Sequence, residues 1–187
     1  MSNKIPDIEL LVFDIDGVLT DGSIIYDNTG NELKRFNIRD GFGIRAARFS
    51  GIQVGVLTAR SSEVVHRRME ELKIDHYFHG CKNKAEGIAA IAERARVPLE
   101  RTAFMGDDIL DLPALKKVGY PLAVADAAIE VLEAAKWVSE AKGGHGAARE
   151  AVEHILRTQG KWDAVLSDSV VEQGDFQSVL RRCSVAC

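Results

Sequence analysis

An α/β fold with a mostly parallel, doubly wound sheet is what this sequence predicts, on three observations. Short apolar runs recur along the chain as buried strands. Stretches with helical spacing separate them. Their alternation requires crossover connections, which cover a parallel sheet on both faces. The chain has 187 residues, room for one domain with a substantial core.

The first strand is LLVF (10–13), an uninterrupted apolar run. It ends in two aspartates, Asp14 and Asp16, followed by Gly17 and Thr20. The segment SIIYDNTGNELKRF (23–36) breaks the strand–helix rhythm. It has two β-capable arms around Asp27-Asn28-Thr29-Gly30 and predicts a hairpin. Its place after the aspartate pair suits a flap beside a site, or an oligomer contact; an ordinary surface hairpin is the plainer alternative.

The next strand is IQVGVLT (52–58), ending in Thr58. A helix follows over 61–73, carrying Val64, Val65, Met69 and Leu72 with charges elsewhere. A second helix, alanine-rich around Ile88 and Ile91, is predicted over 83–96, with Lys84 at its start. The strand TAFMG (102–106) leads into Asp107 and Asp108, and PLAVA (121–125) is the last strand. Residues 127–136 and 146–158 read as helices. The tail, 161–187, has weak periodicity and is expected to be partly disordered.

Hydrophobic residues make up 46% and charged residues 28%, an ordinary balance for a soluble globular chain. A net charge of −4 gives no electrostatic footprint for nucleic acid. No run approaches the roughly 18 apolar residues of a membrane helix. The N-terminal MSNKIPDIEL lacks the apolar region of a secretory signal. The three cysteines, Cys81, Cys183 and Cys187, do not make a disulfide framework, so the cytoplasm is the expected compartment.

In open α/β sheets, ligands bind outside the carboxyl ends of the strands. Asp14, Asp16, Thr58, Asp107 and Asp108 all follow strand ends, and a doubly wound sheet would bring them together with Lys84. Several carboxylates in one cleft repel one another unless a cation sits among them. Oxygen ligands favour Mg²⁺, which often bridges a phosphate. A carboxylate can also attack phosphorus and form an aspartyl-phosphate. An ammonium group and the cation offset the charge repulsion between the two reactants. A second aspartate two residues on can protonate the leaving alcohol and then activate water. Thr58 can donate a hydrogen bond to a phosphoryl oxygen. Taken singly, each of these residues is most often a turn, a cap or a surface charge; the order of the whole set carries the reading.

The motifs DIDGVLT (14–20), LTAR (57–60), NKAEG (83–87) and GDDILDLP (106–113) together resemble the haloacid dehalogenase superfamily of phosphatases. That resemblance implies a Rossmann-like sheet and a set of roles. Asp14 would be the nucleophile and an Mg²⁺ ligand. Asp16 would be the general acid and base, with its backbone carbonyl on the metal. Thr58 and Lys84 would hold the phosphoryl group, and Asp107 would be the third protein ligand. Asp108 would support it, and Asp111 would be supporting or structural.

The short spacings from Asp16 to Thr58 and from Thr58 to Lys84 leave room for the hairpin but for no cap domain. The chain therefore resembles the capless branch, whose members form homotetramers with hairpins at the centre. The strings GSIIYDNTGNELKRFNIRDGFGI (22–44) and AKWVSEAKGGHGAARE (135–150) are similar to the members of that branch that act on 3-deoxy-D-manno-octulosonate 8-phosphate. This implies a cytoplasmic, Mg²⁺-dependent phosphatase with a phosphosugar substrate and no nucleic-acid or membrane partner. Residues 1–160 would form the phosphatase domain, with the flap at about 22–37. Arg60 can bind a carboxylate or hydroxyls with its planar fork. Arg68, eight residues on, is expected to share a helical face with it. Arginine at position 60 favours the eight-carbon acid, since siblings acting on nine-carbon acids tend to carry an acidic residue there. A phosphatase for such a nine-carbon 9-phosphate is the alternative.

Two departures are visible. The branch commonly reads GGRGAxRE, and here His145 replaces the arginine while Arg149 is kept. The tail after Gly160 has no match. Readings from other classes are a phospho-accepting receiver domain and a non-catalytic assembly domain. The first conflicts with the order of the acidic pairs. The second conflicts with every catalytic position being filled.

Overall fold

The structure, a computed structural model, describes residues 5–167. A six-stranded sheet forms the centre. In chain order its elements are β1 (Leu10–Phe13), then the hairpin strands β2 (Ile25–Tyr26) and β3 (Glu32–Leu33), α1 (Ile38–Phe49), β4 (Gln53–Leu57), α2 (Glu63–Glu71), β5 (His76–Phe78) and α3 (Lys84–Ala95). There follow β6 (Thr102–Gly106), α4 (Leu112–Leu115), β7 (Tyr120–Ala123), α5 (Ile129–Ala134), β8 (Trp137–Val138), α6 (Ala147–Thr158) and α7 (Trp162–Leu166). The sheet order is β5-β4-β1-β6-β7-β8, parallel throughout, while β2 and β3 pair antiparallel beside it. The first strand is central, with Phe13 opposite Val56 on one side and Met105 on the other.

The pleat divides the core in two. Leu11 and Phe13 face one side with Val54, Val56, Met105 and the apolar residues of α1, α2 and α6. Leu10 and Val12 face the other side with Leu57, Phe104 and the residues of α3, α4 and α5. Every residue of β1 is therefore buried, which is why the strand reads as continuous apolar sequence rather than alternating.

The sequence expectations for β1 and β6 hold to the residue, and the helices at 63–71, 84–95, 129–134 and 147–158 lie within the expected spans. The tail, for which partial disorder is expected, begins with α7, where Trp162 and Val165 bury their side chains in the core. The arginines Arg149 and Arg157 also lie over the Trp162 ring, at 5.3 and 5.1 Å. The rest of the tail, with Cys183 and Cys187, lies outside the described residues. Arg60 and Arg68 do not share a helical face, since α2 starts only at Glu63.

The helix α1 packs along α6 at short range. A Cβ at Gly43 would lie 3.1 Å from the Arg149 Cα. The two helices also share a cap. The residue that begins α6, Gly146, has no side chain to offer. Instead, Asp40 in the first turn of α1 accepts the Arg149 backbone N–H at 2.8 Å. Burial pushes the Asp40 carboxyl up to about 6, against the backbone hydrogen bonds and the nearby arginines. Asp40→Ala should cost about 1–2 kcal/mol, as loss of a cap does. The Asn variant keeps the acceptor and cannot ionise. The raised value means that the folded state holds its proton more tightly than the unfolded chain. Wild-type stability relative to Asp40→Asn should therefore fall as pH rises from 3.8 toward about 6, which thermal unfolding across that window would check.

Candidate active site

The carboxyl ends of β1, β4 and β6 converge on one cleft, lined among others by Asp14, Asp16, Thr58, Lys84, Asp107 and Asp111. The Asp14 N–H donates to the Met105 carbonyl at 3.0 Å, so the first aspartate is held by the neighbouring strand. The chain then turns sharply. The N–H groups of Val18, Leu19 and Thr20 all donate to the Ile15 carbonyl, at 3.2, 3.0 and 3.0 Å. Gly17 has φ +93°, and a Cβ there would lie 2.0 Å from Asp107 Oδ2. Only glycine allows both that backbone and the approach of this loop to Asp107.

The lysine and the second acidic pair form a linked unit. Asn83 caps α3 by accepting the Glu86 N–H at 3.3 Å, which sets Lys84 at the first helical position. The Lys84 ammonium is buried, lies 2.8 Å from Asp14 Oδ2 and donates to Asp111 Oδ1. The other oxygen of Asp111 accepts the backbone N–H groups of Asp107 and Asp108, at 2.9 and 3.3 Å. Asp108 is exposed and caps the short turn 109–111 by accepting the Ile109 N–H at 2.7 Å. Asp111 thus fixes both the lysine and the loop that carries Asp107. Thr58 is buried and its Oγ1 accepts the Arg60 N–H at 3.2 Å, which leaves the hydroxyl proton for a ligand.

The electrostatics call for a cation. Asp14, Asp107 and Asp111 each present an oxygen within 4.8 Å of the others. Burial, only partly offset by Lys84, pushes the Asp14 carboxyl up to about 7. Burial and then the Asp111 and Asp14 charges push Asp107 up to about 8. Burial works against the Lys84 charge, but Asp14 and Asp111 outweigh it and raise its affinity for the proton. The Asp107 Oδ1 is buried with no hydrogen-bond partner. An orphaned carboxylate oxygen in a cluster of three acids fits a hard divalent ion, for which Asp107 and Asp14 offer oxygens. Asp111 is already committed to Lys84 and two N–H groups.

The hairpin reaches Asp16, Arg60 and Ser62 beside the cleft, with contacts that the sequence reading missed. Tyr26 and Glu32 are cross-strand partners, and Glu32 and Lys34 lie two residues apart on one face. The Glu32 carboxylate accepts from Arg60 Nη2 at 3.0 Å and from the Ser62 hydroxyl. Lys34 donates to Asp16 Oδ1. The opposite face leaves Ile25 and Leu33 exposed. An apolar face turned outward on a polar-faced ribbon was the available signal. Arg60 lines the cleft, whereas Arg68 does not. Its guanidinium lies 5.9 Å from the Phe36 ring and 3.2 Å from Glu71, between α1 and α2. His145 sits at the base of the hairpin, with Nδ1 2.7 Å from the Gly143 carbonyl and Nε2 3.5 Å from Arg35.

Residues 79–150 match the family model of haloacid dehalogenase-like hydrolases. Over 167 residues the chain is 41% identical to the 3-deoxy-D-manno-octulosonate 8-phosphate phosphatase of Escherichia coli strain K12, covering 89% of each chain. It is 42% identical to the enzyme of that name from Haemophilus influenzae, over 86% of this chain and 89% of the relative. The cobalt-bound structure of the Haemophilus influenzae phosphatase superposes with a TM-score of 0.82 at 42% identity, covering 84% of this chain and 92% of that one. The Moraxella catarrhalis phosphatase, solved with magnesium, phosphate and KDO, superposes with a TM-score of 0.84 at 36% identity, covering 87% and 94%.

Proposed function

The chain belongs to the 3-deoxy-D-manno-octulosonate 8-phosphate phosphatases among the haloacid dehalogenase-like hydrolases, and on that footing we propose that it converts this ester to Kdo and phosphate for lipopolysaccharide biosynthesis. It is a phosphomonoesterase, and its cofactor is Mg²⁺. The observation that carries the reading at the level of the site is the meeting of Asp14, Lys84, Thr58 and the unpartnered Asp107 oxygen in one cleft.

In the proposed mechanism, Thr58 and Lys84 bind the phosphoryl oxygens and orient the group toward Asp14. An Asp14 carboxylate oxygen attacks phosphorus, and the bond to the sugar oxygen breaks. Asp16 delivers a proton to that oxygen, so the sugar leaves as a neutral alcohol. The resulting aspartyl-phosphate is hydrolysed when Asp16, now a carboxylate, takes a proton from water. The water oxygen bonds to phosphorus, and Asp14 is released with phosphate. The Asp14 and Asp107 carboxylates and the Asp16 carbonyl would hold Mg²⁺, which would supply positive charge against the negative charge on the phosphoryl oxygens. Asp111 keeps Lys84 aimed at Asp14, and Asp108 stabilises the turn that presents Asp107.

We assign Arg60 to the carboxylate of the sugar acid and leave Arg68 outside the cleft, as an anchor between α1 and α2. The test is Mg²⁺-dependent phosphate release from 3-deoxy-D-manno-octulosonate 8-phosphate, a nine-carbon acid 9-phosphate and hexose phosphates. The first should have the highest kcat/KM, and equal or better turnover of another ester would move the substrate assignment. Arg60→Ala should raise KM for the sugar acid about tenfold or more, the weight of a charged hydrogen bond, and raise KM for hexose phosphates less.

Residues 1–160 form the catalytic unit in this reading, with the hairpin as its flap. Copies assemble as a homotetramer through the exposed Ile24, Ile25 and Leu33 of the hairpin. A light-scattering mass of 20.5 kDa, that of one chain, would exclude the assembly. The cytoplasm is its proposed compartment. No helix among the described residues is long and apolar enough to cross a membrane.

A further inference from the structure

Lysine is almost never fully buried without a partner. The Lys34 side chain is 1% exposed, although it belongs to a hairpin whose neighbouring residues face solvent. Its ammonium donates to Asp16 Oδ1 and lies 3.6 Å from Glu32 Oε1. Glu32 is itself anchored by Arg60 and by the Ser62 hydroxyl, so the lysine is held from behind. Arg60 Nε lies 3.8 Å from Asp16 Oδ2, too far for a hydrogen bond. Lys34 is thus the one side chain, among the described hydrogen bonds, that fixes which way the Asp16 carboxylate faces.

We propose that Lys34 is a positioning residue that ties the flap hairpin to Asp16 and holds its carboxylate at the mouth of the cleft, where the leaving alcohol must receive its proton. The inference rests on the phosphatase reading above. The two lysines divide the work between them. Lys84 approaches the cleft from α3 and meets Asp14 and Asp111, while Lys34 approaches from the hairpin and meets Asp16. The hairpin is therefore part of the acid–base apparatus. A carboxylate released from Lys34 would swing on its own rotors, and a misplacement of about 1 Å costs on the order of 10²-fold in rate.

The test compares kcat/KM for three esters with Mg²⁺ in excess: the sugar-acid phosphate, a hexose phosphate without a carboxylate, and 4-nitrophenyl phosphate. This parameter covers only the steps through aspartyl-phosphate formation, so the later role of Asp16 toward water does not enter. Lys34→Met should lower both alkyl esters about 10- to 100-fold. The nitrophenyl ester should fall less than about threefold, because nitrophenolate leaves without a proton. Lys34→Arg should recover most of the loss. In an Asp16→Asn background, Lys34→Met should cost nothing further on the alkyl esters.

Equal losses on all three esters would overturn the proposal in favour of a general structural role. A loss confined to the carboxylate-bearing ester would mean that Lys34 touches substrate instead. A further loss in the Asp16→Asn background would mean that it acts independently of Asp16. Should Lys34→Met not fold, Lys34→Gln faces the same three comparisons. Wild-type protein that releases phosphate from none of the esters would sink the phosphatase reading itself, and that result is visible before any variant is made.

Discussion

Asp14→Asn is expected to release no measurable phosphate, a loss of about 10⁴-fold or more, because an amide cannot form the aspartyl-phosphate. The variant should nevertheless be a well-folded protein. In the absence of metal, burial disfavours the charged Asp14 and raises its value from 3.8 to about 7, with Lys84 offsetting and Asp111 adding to the effect. A raised value in the folded state means stability that is present at low pH and lost as pH climbs from 3.8 to about 7. With EDTA present, the Asn variant should therefore melt above wild type at pH 8, and the gap should close toward pH 5. Adding Mg²⁺ should raise the wild-type Tm and move the variant much less, since a ligand stabilises the folded state only in proportion to its binding. A variant that keeps turnover would remove Asp14 as the nucleophile, and one that shows the same Mg²⁺ shift as wild type would remove it as a metal ligand.

Asp16→Asn should separate the two halves of the reaction. The amide can neither give a proton to the leaving alcohol nor take one from water. Turnover of sugar phosphates should fall by about 10²–10⁴-fold, the usual weight of general acid–base catalysis. Substrate and Mg²⁺ should still bind, because the groups proposed to hold them are Thr58, Lys84, Arg60, Asp14, Asp107 and a backbone carbonyl. With 4-nitrophenyl phosphate the first step needs no proton donor, so nitrophenolate should appear in a rapid burst near one equivalent of enzyme. Slow release should follow, as the aspartyl-phosphate waits for an unassisted water. Rapid-quench measurement of that burst checks the assignment. Steady turnover at the wild-type rate without a burst would take the acid–base role away from Asp16.

Much of this site was legible in the sequence because its residues sit directly after strands whose apolar runs are uninterrupted. The strands ending before Asp14, at Leu57 and at Gly106 are buried on both faces, and burial on both faces leaves a plain mark in the sequence. The helix α1 was not legible. Gly41 and Gly43 lower its helical propensity, and its contact with α6 overrides that propensity in the fold. The strands β5 and β8 have three and two residues, too few for any period to show. Glu32 and Lys34 were hidden for a different reason. Charged residues on a short hairpin read as solvated, and only the fold brings Asp16 and Ser62 to meet them. The shared-face argument for Arg68 failed because it extended a helix back through a loop.

The sheet order places β1, synthesised before both of its neighbours, in the middle. When β1 leaves the ribosome, neither of its neighbours exists; β4 ends at Leu57 and β6 only at Gly106. Asp14, the proposed nucleophile, emerges early, and the aspartates at 107 and 111 emerge late. At translation rates of about 5–20 residues per second, roughly 5–20 s separate Asp14 from Asp111. Throughout that interval the nascent chain carries a candidate nucleophile with no cleft around it. A chain that terminates before β6 lacks one whole side of its central strand, along with Asp107, one of the two carboxylates that would hold the cation. Catalytic competence in this topology therefore waits for β6 and the loop behind it, and no fragment that ends before Asp111 inherits it.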